Sequence, residues 1–203
     1  MIGLKMTEEN NNQTNDGPRS NSIPTGRLII LFMVMMITAA GNTAMNSTLP
    51  AISATLNISD IWVSLAFSWS AILWVFMAPR WARLSDKRGR KSLMSLGMIG
   101  FIASTSLCGI VLWFGLNGFI GATITFILFA IFRSLYGALG SAAPPAVQAY
   151  VAARTKSSER TKALSLLASS FGLGTVIGPA VAHYLIFQPF GLASATMAAA
   201  ASA

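Results

Sequence analysis

Long apolar stretches, each about the length of a membrane-crossing helix, are the feature of this chain that most limits its fold. A helix needs about 20 apolar residues to cross about 30 Å of hydrocarbon, because it rises about 1.5 Å per residue. Hydrophobic residues make up 54% of the 203 residues, charged residues make up 10%, and the mean hydropathy is +0.62. A water-soluble chain of this composition would expose much apolar surface. The sequence therefore predicts an all-α integral membrane protein.

Five apolar runs are long enough to cross a bilayer. The first is expected to end at Pro50, and Pro144 with Pro145 is expected to kink the fourth, because proline interrupts helical hydrogen bonding. The last segment, residues 188–203, is expected to form a loop and an incomplete sixth helix, since it is too short to cross. The expected spans cover residues 28–49, 61–79, 92–114, 121–151 and 163–187.

The N-terminal segment differs in composition from the rest of the chain. It is rich in Asn, Thr, Ser, Gly and charged residues, which bury too little apolar area to offset chain entropy. We therefore expect residues 1–26 to form a disordered cytoplasmic tail and residues 27–187 to form a transmembrane helix bundle.

Basic residues lie in short gaps between the apolar runs. The net charge of +8 does not indicate a nucleic-acid partner, because a nucleic-acid binder would spread its bases over one face. Bases precede the first run and follow the second and fourth, whereas the gaps after the first, third and fifth contain none. Because basic loops stay inside, the pattern predicts a multi-pass protein of the cell (inner) membrane with a cytoplasmic N-terminus.

Arg133 is the one basic residue inside a predicted span. A charge at that depth costs about 2.5 to 3.5 kcal/mol on insertion scales, so it is expected to face a water-filled cavity or a partner. The alternative is an arginine that reaches the membrane interface with its long side chain. None of the six acids lies within a span. Its partner is then a backbone carbonyl, an amide of Asn42, Asn46 or Gln148, an anionic substrate, or an acid from another polypeptide segment.

Two helical patterns in the first and fifth spans also stand out. Thr38, Asn42 and Asn46 recur every four residues and therefore lie on one face of the helix. This polar face is expected either to line a cavity or to form hydrogen bonds with another helix. Gly174 and Gly178 are spaced to let another helix backbone approach closely.

Three segments carry more specific patterns. The segment from Ala82 to Lys91 reads Ala-Arg-Leu-Ser-Asp-Lys-Arg-Gly-Arg-Lys and is expected to be a basic loop after the second span. A second pattern runs from Arg133 to Val151, and a third from Gly174 to Pro179. In this order and on these spans, the three segments resemble motifs of the major facilitator superfamily, in its drug-proton antiporter branch of tetracycline and multidrug exporters.

The chain departs from the family patterns at several positions. Ala82 replaces a leading glycine, and Arg88 stands where an aromatic residue is usual. Ala153 stands where an acid is common, and Ala182 with His183 replaces a closing glycine pair. The departure at Ala153 removes one charge from the cytoplasmic end of the fourth-helix pattern.

The resemblance implies a fold of two six-helix halves that rock about a central site, of which this chain is the N-terminal half. In such proteins the loop acid, here Asp86, holds one conformation closed, and the fourth-helix arginine is associated with proton coupling. The candidate residues are Arg83, Asp86, Gly89, Arg90 and Lys91 in the conformational switch, Arg133, Gly137, Asn42, Asn46 and Gln148 at the coupling cavity, and Gly174, Gly178 and Pro179 in the antiporter motif.

Three functions are compatible with these observations. The first is proton-coupled efflux of small drug-like or amphipathic compounds, with this chain as an N-terminal half or truncated product that needs a C-terminal half. The second is a half-size transporter acting as a homodimer, and the third is a membrane subunit without transport activity. Membrane lipid, a small-molecule substrate and the proton are the expected partners. The sequence contains no metal-spaced cluster and no phosphate-binding Gly-Lys loop, so we expect no enzyme activity, cofactor or metal.

Overall fold

The computed structural model describes residues 23–182 and residue 184. Within these residues the chain forms α-helices and one short 3-10 helix, Gly140–Ala142, and no strand. Residues 1–22 of the expected tail and the expected incomplete helix at 188–203 lie outside the described residues. The helices are α1 (Thr25–Thr55), α2 (Asp60–Arg88), α3 (Arg90–Leu116), α4 (Ala122–Ala138), α5 (Ala143–Arg154) and α6 (Ser157–Ala182).

The described helices include five segments that are long and apolar enough to cross a membrane, with α4 and α5 together forming the fourth. A helix satisfies its own backbone hydrogen bonds, which hydrocarbon cannot do, so helices are the stable form of these sequences in lipid. The prediction of an all-α membrane fold is confirmed. The helix ends, however, differ from the expected spans.

The first span does not end at Pro50. Helix α1 runs through this proline to Thr55. Proline removes the bond to the carbonyl four residues earlier, but Leu49 and Ile52 on either side are fully buried. Their packing in the core keeps the helix continuous, so the expected end was wrong.

The basic segment after the second span is not a loop. Helix α2 continues through Pro79 to Arg88, and α3 begins at Arg90, so Gly89 is the single residue between them. Lysine and arginine are good helix formers and are favoured in the last turn, where the helix dipole is negative. Gly89 adopts φ 92° and ψ 136°, a conformation that side-chain-bearing residues rarely adopt.

The fourth span is broken before its prolines and not kinked at them. Helix α4 ends at Ala138, the 3-10 turn follows, and Pro144 lies in the first turn of α5. A proline in a first turn loses no helical bond, because that N–H would have no partner in the helix. The carbonyl of Ala138, at the end of α4, accepts bonds from Nε1 of Trp81 (2.6 Å) and Oγ of Ser141 (3.0 Å). The bond from Trp81 therefore connects α2 to the end of α4.

The fifth span also begins earlier than expected. Helix α6 starts at Ser157, and Glu159 in its first turn is favoured by the positive end of the helix dipole. In the assembled bundle α1 packs most extensively against α6, while α4 contacts both α2 and α3. This arrangement places Arg133 of α4 in the interior, facing α1.

Candidate functional site

Arg133 is buried in the bundle, with only 2% of its surface exposed. Its Nη2 donates a hydrogen bond to Oδ1 of Asn42 on α1. The guanidinium carbon lies 4.9 Å from the ring centre of Phe67 and 4.4 Å from that of Tyr136. Aromatic ring faces attract cations. One amide and two rings therefore surround the charge, and no acid within the described residues pairs with it.

Two donor nitrogens of Arg133 have no hydrogen-bond partner among the described residues. Nε and Nη1 are both buried and unbonded. A buried donor without a partner costs about 1 to 3 kcal/mol, and more when it is charged. Arg133 therefore has two unused donors in addition to the one that Asn42 occupies.

The backbone around Arg133 is held on two sides by hydroxyl groups. Ser70 of α2 donates from Oγ to the carbonyl of Arg133 (3.2 Å), and Ser104 of α3 donates to the carbonyl of Phe132 (2.8 Å). At Gly137, one turn later, a β-carbon would lie 2.4 Å from the backbone oxygen of Ser70. Glycine is required there for α2 and α4 to approach this closely, which fixes the depth of Arg133.

The other amides of the predicted cavity are not at Arg133. Asn46 and Gln148 are exposed, and no described hydrogen bond joins either of them to the arginine. Thr38 is buried but bonds to the carbonyl of Val34 in its own helix (2.7 Å). Of the three-residue stripe on α1, only Asn42 reaches Arg133.

The switch residues surround the joint between α2 and α3. Oδ1 of Asp86 lies 4.0 Å from Nη2 of Arg90, with Asp86 72% exposed and Arg90 33% exposed. Such an open ion pair contributes little to stability. Arg83 and Lys91 are exposed. The Asp86 carboxylate therefore keeps most of its capacity for a partner outside the described residues.

The glycines of α6 lie directly against the backbone of α1. A β-carbon at Gly174 would lie 2.2 Å from the carbonyl oxygen of Met36, and one at Gly178 would lie 2.3 Å from that of Ala40. Oγ1 of Thr43 lies 3.5 Å from the carbonyl oxygen of Gly174 and donates to it. Pro179 is exposed, and His183 lies outside the described residues.

Sequence reasoning missed several residues of the arginine site. Tyr136 follows Arg133 by three residues, a spacing that puts two side chains on the same helix face, so a signal was present. Phe67, Ser70 and Ser104 come from other helices. Because their contact with α4 depends on helix packing, nothing in the linear sequence marks them.

Comparison with known proteins agrees with the fold. Residues 31–203 match the sequence profile of the Major Facilitator Superfamily. Multidrug resistance protein MdtG of Proteus mirabilis is 29% identical, over 83% of this chain and 40% of the relative. Multidrug resistance protein 2 of Bacillus subtilis is 29% identical over 82% and 40%, respectively. The Staphyloferrin B transporter of Staphylococcus aureus is 26% identical over 80% and 37%.

The chain spans about 40% of the length of these curated relatives. The profile match covers most of the chain, including Arg133, the joint at Gly89 and the glycines of α6. Together with the membrane-length helices, it shows that the chain belongs to the major facilitator superfamily, a family of membrane transporters and not of enzymes.

Proposed function

We propose that this chain forms half of a proton-coupled exporter of small amphipathic compounds. A further polypeptide segment or a second copy of the chain supplies the other half of the transport path. The observation that carries this proposal is Arg133, a buried cation with one amide partner and two open nitrogens. The names of two relatives, both multidrug resistance proteins, support the substrate class.

Arg133 supplies the coupling in this proposal. A buried cation stabilises an anion nearby, and a proton that binds to the anion weakens the attraction. Whether Nε and Nη1 of Arg133 bind that anion therefore depends on whether the anion is protonated. The acids of the described helices, Asp60, Asp86 and Glu159, lie in first or last turns and not beside Arg133. In this proposal the proton carrier is therefore a substrate or a carboxylate from the other half.

The α2–α3 joint supplies the conformational switch. Asp86 is exposed and is held only by Arg90 at 4.0 Å, so it is available to a positive helix end in the other half. Contact between them closes one side of the transport path, and rocking of the halves breaks it. In this scheme Asp86→Asn slows turnover more than it weakens substrate binding.

The proposed orientation places the N-terminus and both basic segments in the cytoplasm. Bases at 80–91 and at 154–162 lie at the same end of the bundle as the start of α1, because α1 and α6 begin where α2 and α5 end. Fusions of alkaline phosphatase after residues 89, 118 and 156 test this orientation. Activity at 118 alone supports it, whereas activity at 89 or 156 contradicts it.

Transport itself is tested with a fluorescent amphipathic cation. Cells that express the chain from its full natural reading frame are loaded with ethidium, and its accumulation is followed with and without a protonophore. We expect lower accumulation in expressing cells and loss of that difference with the protonophore. Equal accumulation in expressing and control cells would contradict transport, and a difference that survives the protonophore would contradict proton coupling.

A further inference from the structure

An open cavity of about 900 Å³ lies at one end of the bundle, between the start of α1, the end of α5 and the start of α6. It uses none of the residues assigned to coupling or switching. The residues that decide its chemistry are Arg154, Lys156, Lys162, Glu159, Ile23 and Leu28.

The polar side of this cavity carries three bases and one acid. Arg154 stacks on the ring of Tyr150 (4.5 Å) and donates from Nη1 to its hydroxyl (2.6 Å), so its position is fixed. Lys156, Lys162 and Glu159 are exposed, and no ion pair within the described residues joins Glu159 to a base. The cavity therefore has an excess of positive charge that the described residues do not neutralise.

Another part of the cavity wall is apolar. It is lined by Ile23, which precedes α1, by Leu28 of α1 and by Ala163 and Leu166 of α6. A free inorganic anion would use only the bases and leave this wall in water. A molecule that joins an anionic group to a hydrocarbon chain would use both sides.

The position of the cavity along the helices also suits such a molecule. It is formed where membrane-length helices begin and end, beside the exposed bases that follow α5. Basic pockets between helices at this level are suited to the headgroups of anionic lipids. We propose that this cavity is a binding site for an anionic phospholipid, whose phosphate lies against Lys156 and Lys162 and whose acyl chain follows the apolar wall.

The proposal is tested by measuring lipid binding to the purified full chain in detergent. The result of this measurement does not depend on the orientation of the chain in the membrane or on its transport activity. Native mass spectrometry is used to titrate dioleoylphosphatidylglycerol and dioleoylphosphatidylcholine. We expect a retained phosphatidylglycerol and no comparable phosphatidylcholine adduct. The double variant Lys156→Gln/Lys162→Gln is expected to weaken phosphatidylglycerol binding roughly tenfold, because each base near a lipid surface contributes to anionic lipid affinity.

A matched control removes the same charge elsewhere. Lys87→Gln/Arg88→Gln deletes two exposed bases at the end of α2 and is expected to leave the retained lipid in place. Glu159→Gln removes the acid of the cavity and is expected to tighten binding. This gain cannot come from misfolding, so it keeps the proposal testable if the double lysine variant is unstable.

Four outcomes would overturn the proposal. Equal loss in both double variants would indicate attraction by net charge alone. Equal binding of phosphatidylcholine would indicate an apolar groove without headgroup recognition. Displacement of the lipid by millimolar sn-glycerol 3-phosphate would indicate a site for soluble phosphate esters. Lipid binding that occurs only after deletion of residues 1–22 would indicate that the tail, which carries Glu8, Glu9 and Asp16, occupies the cavity.

Discussion

Arg133 and Asn42, 91 residues apart in the chain, are joined by a hydrogen bond from Nη2 to Oδ1 that connects α4 with α1. It is the described polar contact through which the buried charge reaches another helix. Asn46 lies one turn further along α1 but is exposed. The two asparagines therefore offer a matched pair for testing how much this bond contributes.

Asn42→Leu is expected to destabilise the protein. The substitution removes the only described hydrogen-bond acceptor for Arg133 and leaves all three guanidinium nitrogens without partners. Loss of a bond to a buried charge costs about 1.5 to 3 kcal/mol. Thermal unfolding in detergent should show a clear fall in Tm. Asn46→Leu should change the stability by less than about 0.5 kcal/mol, and equal effects of the two variants would contradict the assignment.

Arg133→Met is expected to abolish transport without lowering the stability of the fold. Methionine occupies a similar volume without charge, so the unpartnered donors disappear and the fold should be at least as stable as the natural protein. Gradient-driven efflux should fall to the rate of vesicles without the protein. Arg80→Met, at an exposed arginine, is the control and should retain efflux. Unchanged efflux and pH dependence in Arg133→Met would reject its role in coupling.

Gly178→Val is expected to separate α6 from α1. The new side chain would meet the oxygens of Thr43 and Ala40, and overpacking of this kind costs about 1 to 3 kcal/mol. Gly172→Val is the control, because a β-carbon at Gly172 has no heavy atom within 4 Å. Both changes have the same effect on helix propensity. Thermal unfolding should therefore show a lower Tm for Gly178→Val alone, and matching Tm values would contradict the close packing.

Trp81→Phe is expected to weaken the junction between α4 and α5. The phenyl ring has no N–H to donate to the carbonyl of Ala138, although the bond from Ser141 remains. The cost of one such bond is about 0.5 to 1.5 kcal/mol. Hydrogen exchange at residues 138–143 should become faster. Trp62→Phe, at an exposed tryptophan, should leave exchange there unchanged, and a similar increase in both variants would argue against the bond.

The helical membrane fold was predictable, but the ends of the helices were not. Length and hydropathy are enough to locate a span, because hydrocarbon requires continuous apolar helix. They do not locate its ends in water, where Lys87 and Arg88 continue a helix as readily as apolar residues do. The breaks at Gly89 and at residues 139–142 depend on backbone conformation and on the proline positions, which hydropathy does not measure.

The candidate site was predictable in its charge and only partly in its partners. The position of Arg133 within a span marked it as unusual, and an amide partner was among the expected alternatives. Selection of Asn42 over Asn46 and Gln148 depends on where helix packing places α1 relative to Arg133. The aromatic rings of Phe67 and Tyr136 enter for the same reason, since a hydrophobic residue in a hydrophobic span carries no distinguishing signal.

The single residue between α2 and α3 has a mechanical consequence. One extended residue spans about 3.5 Å. The C-terminal end of α2 can therefore move only a short distance away from the start of α3. The connection at residues 117–121 is longer and can absorb displacement. A displacement of the Asp86 end of α2 should therefore move the start of α3 with it, and the packing of α3 against α4 extends that movement to the helix that carries Arg133.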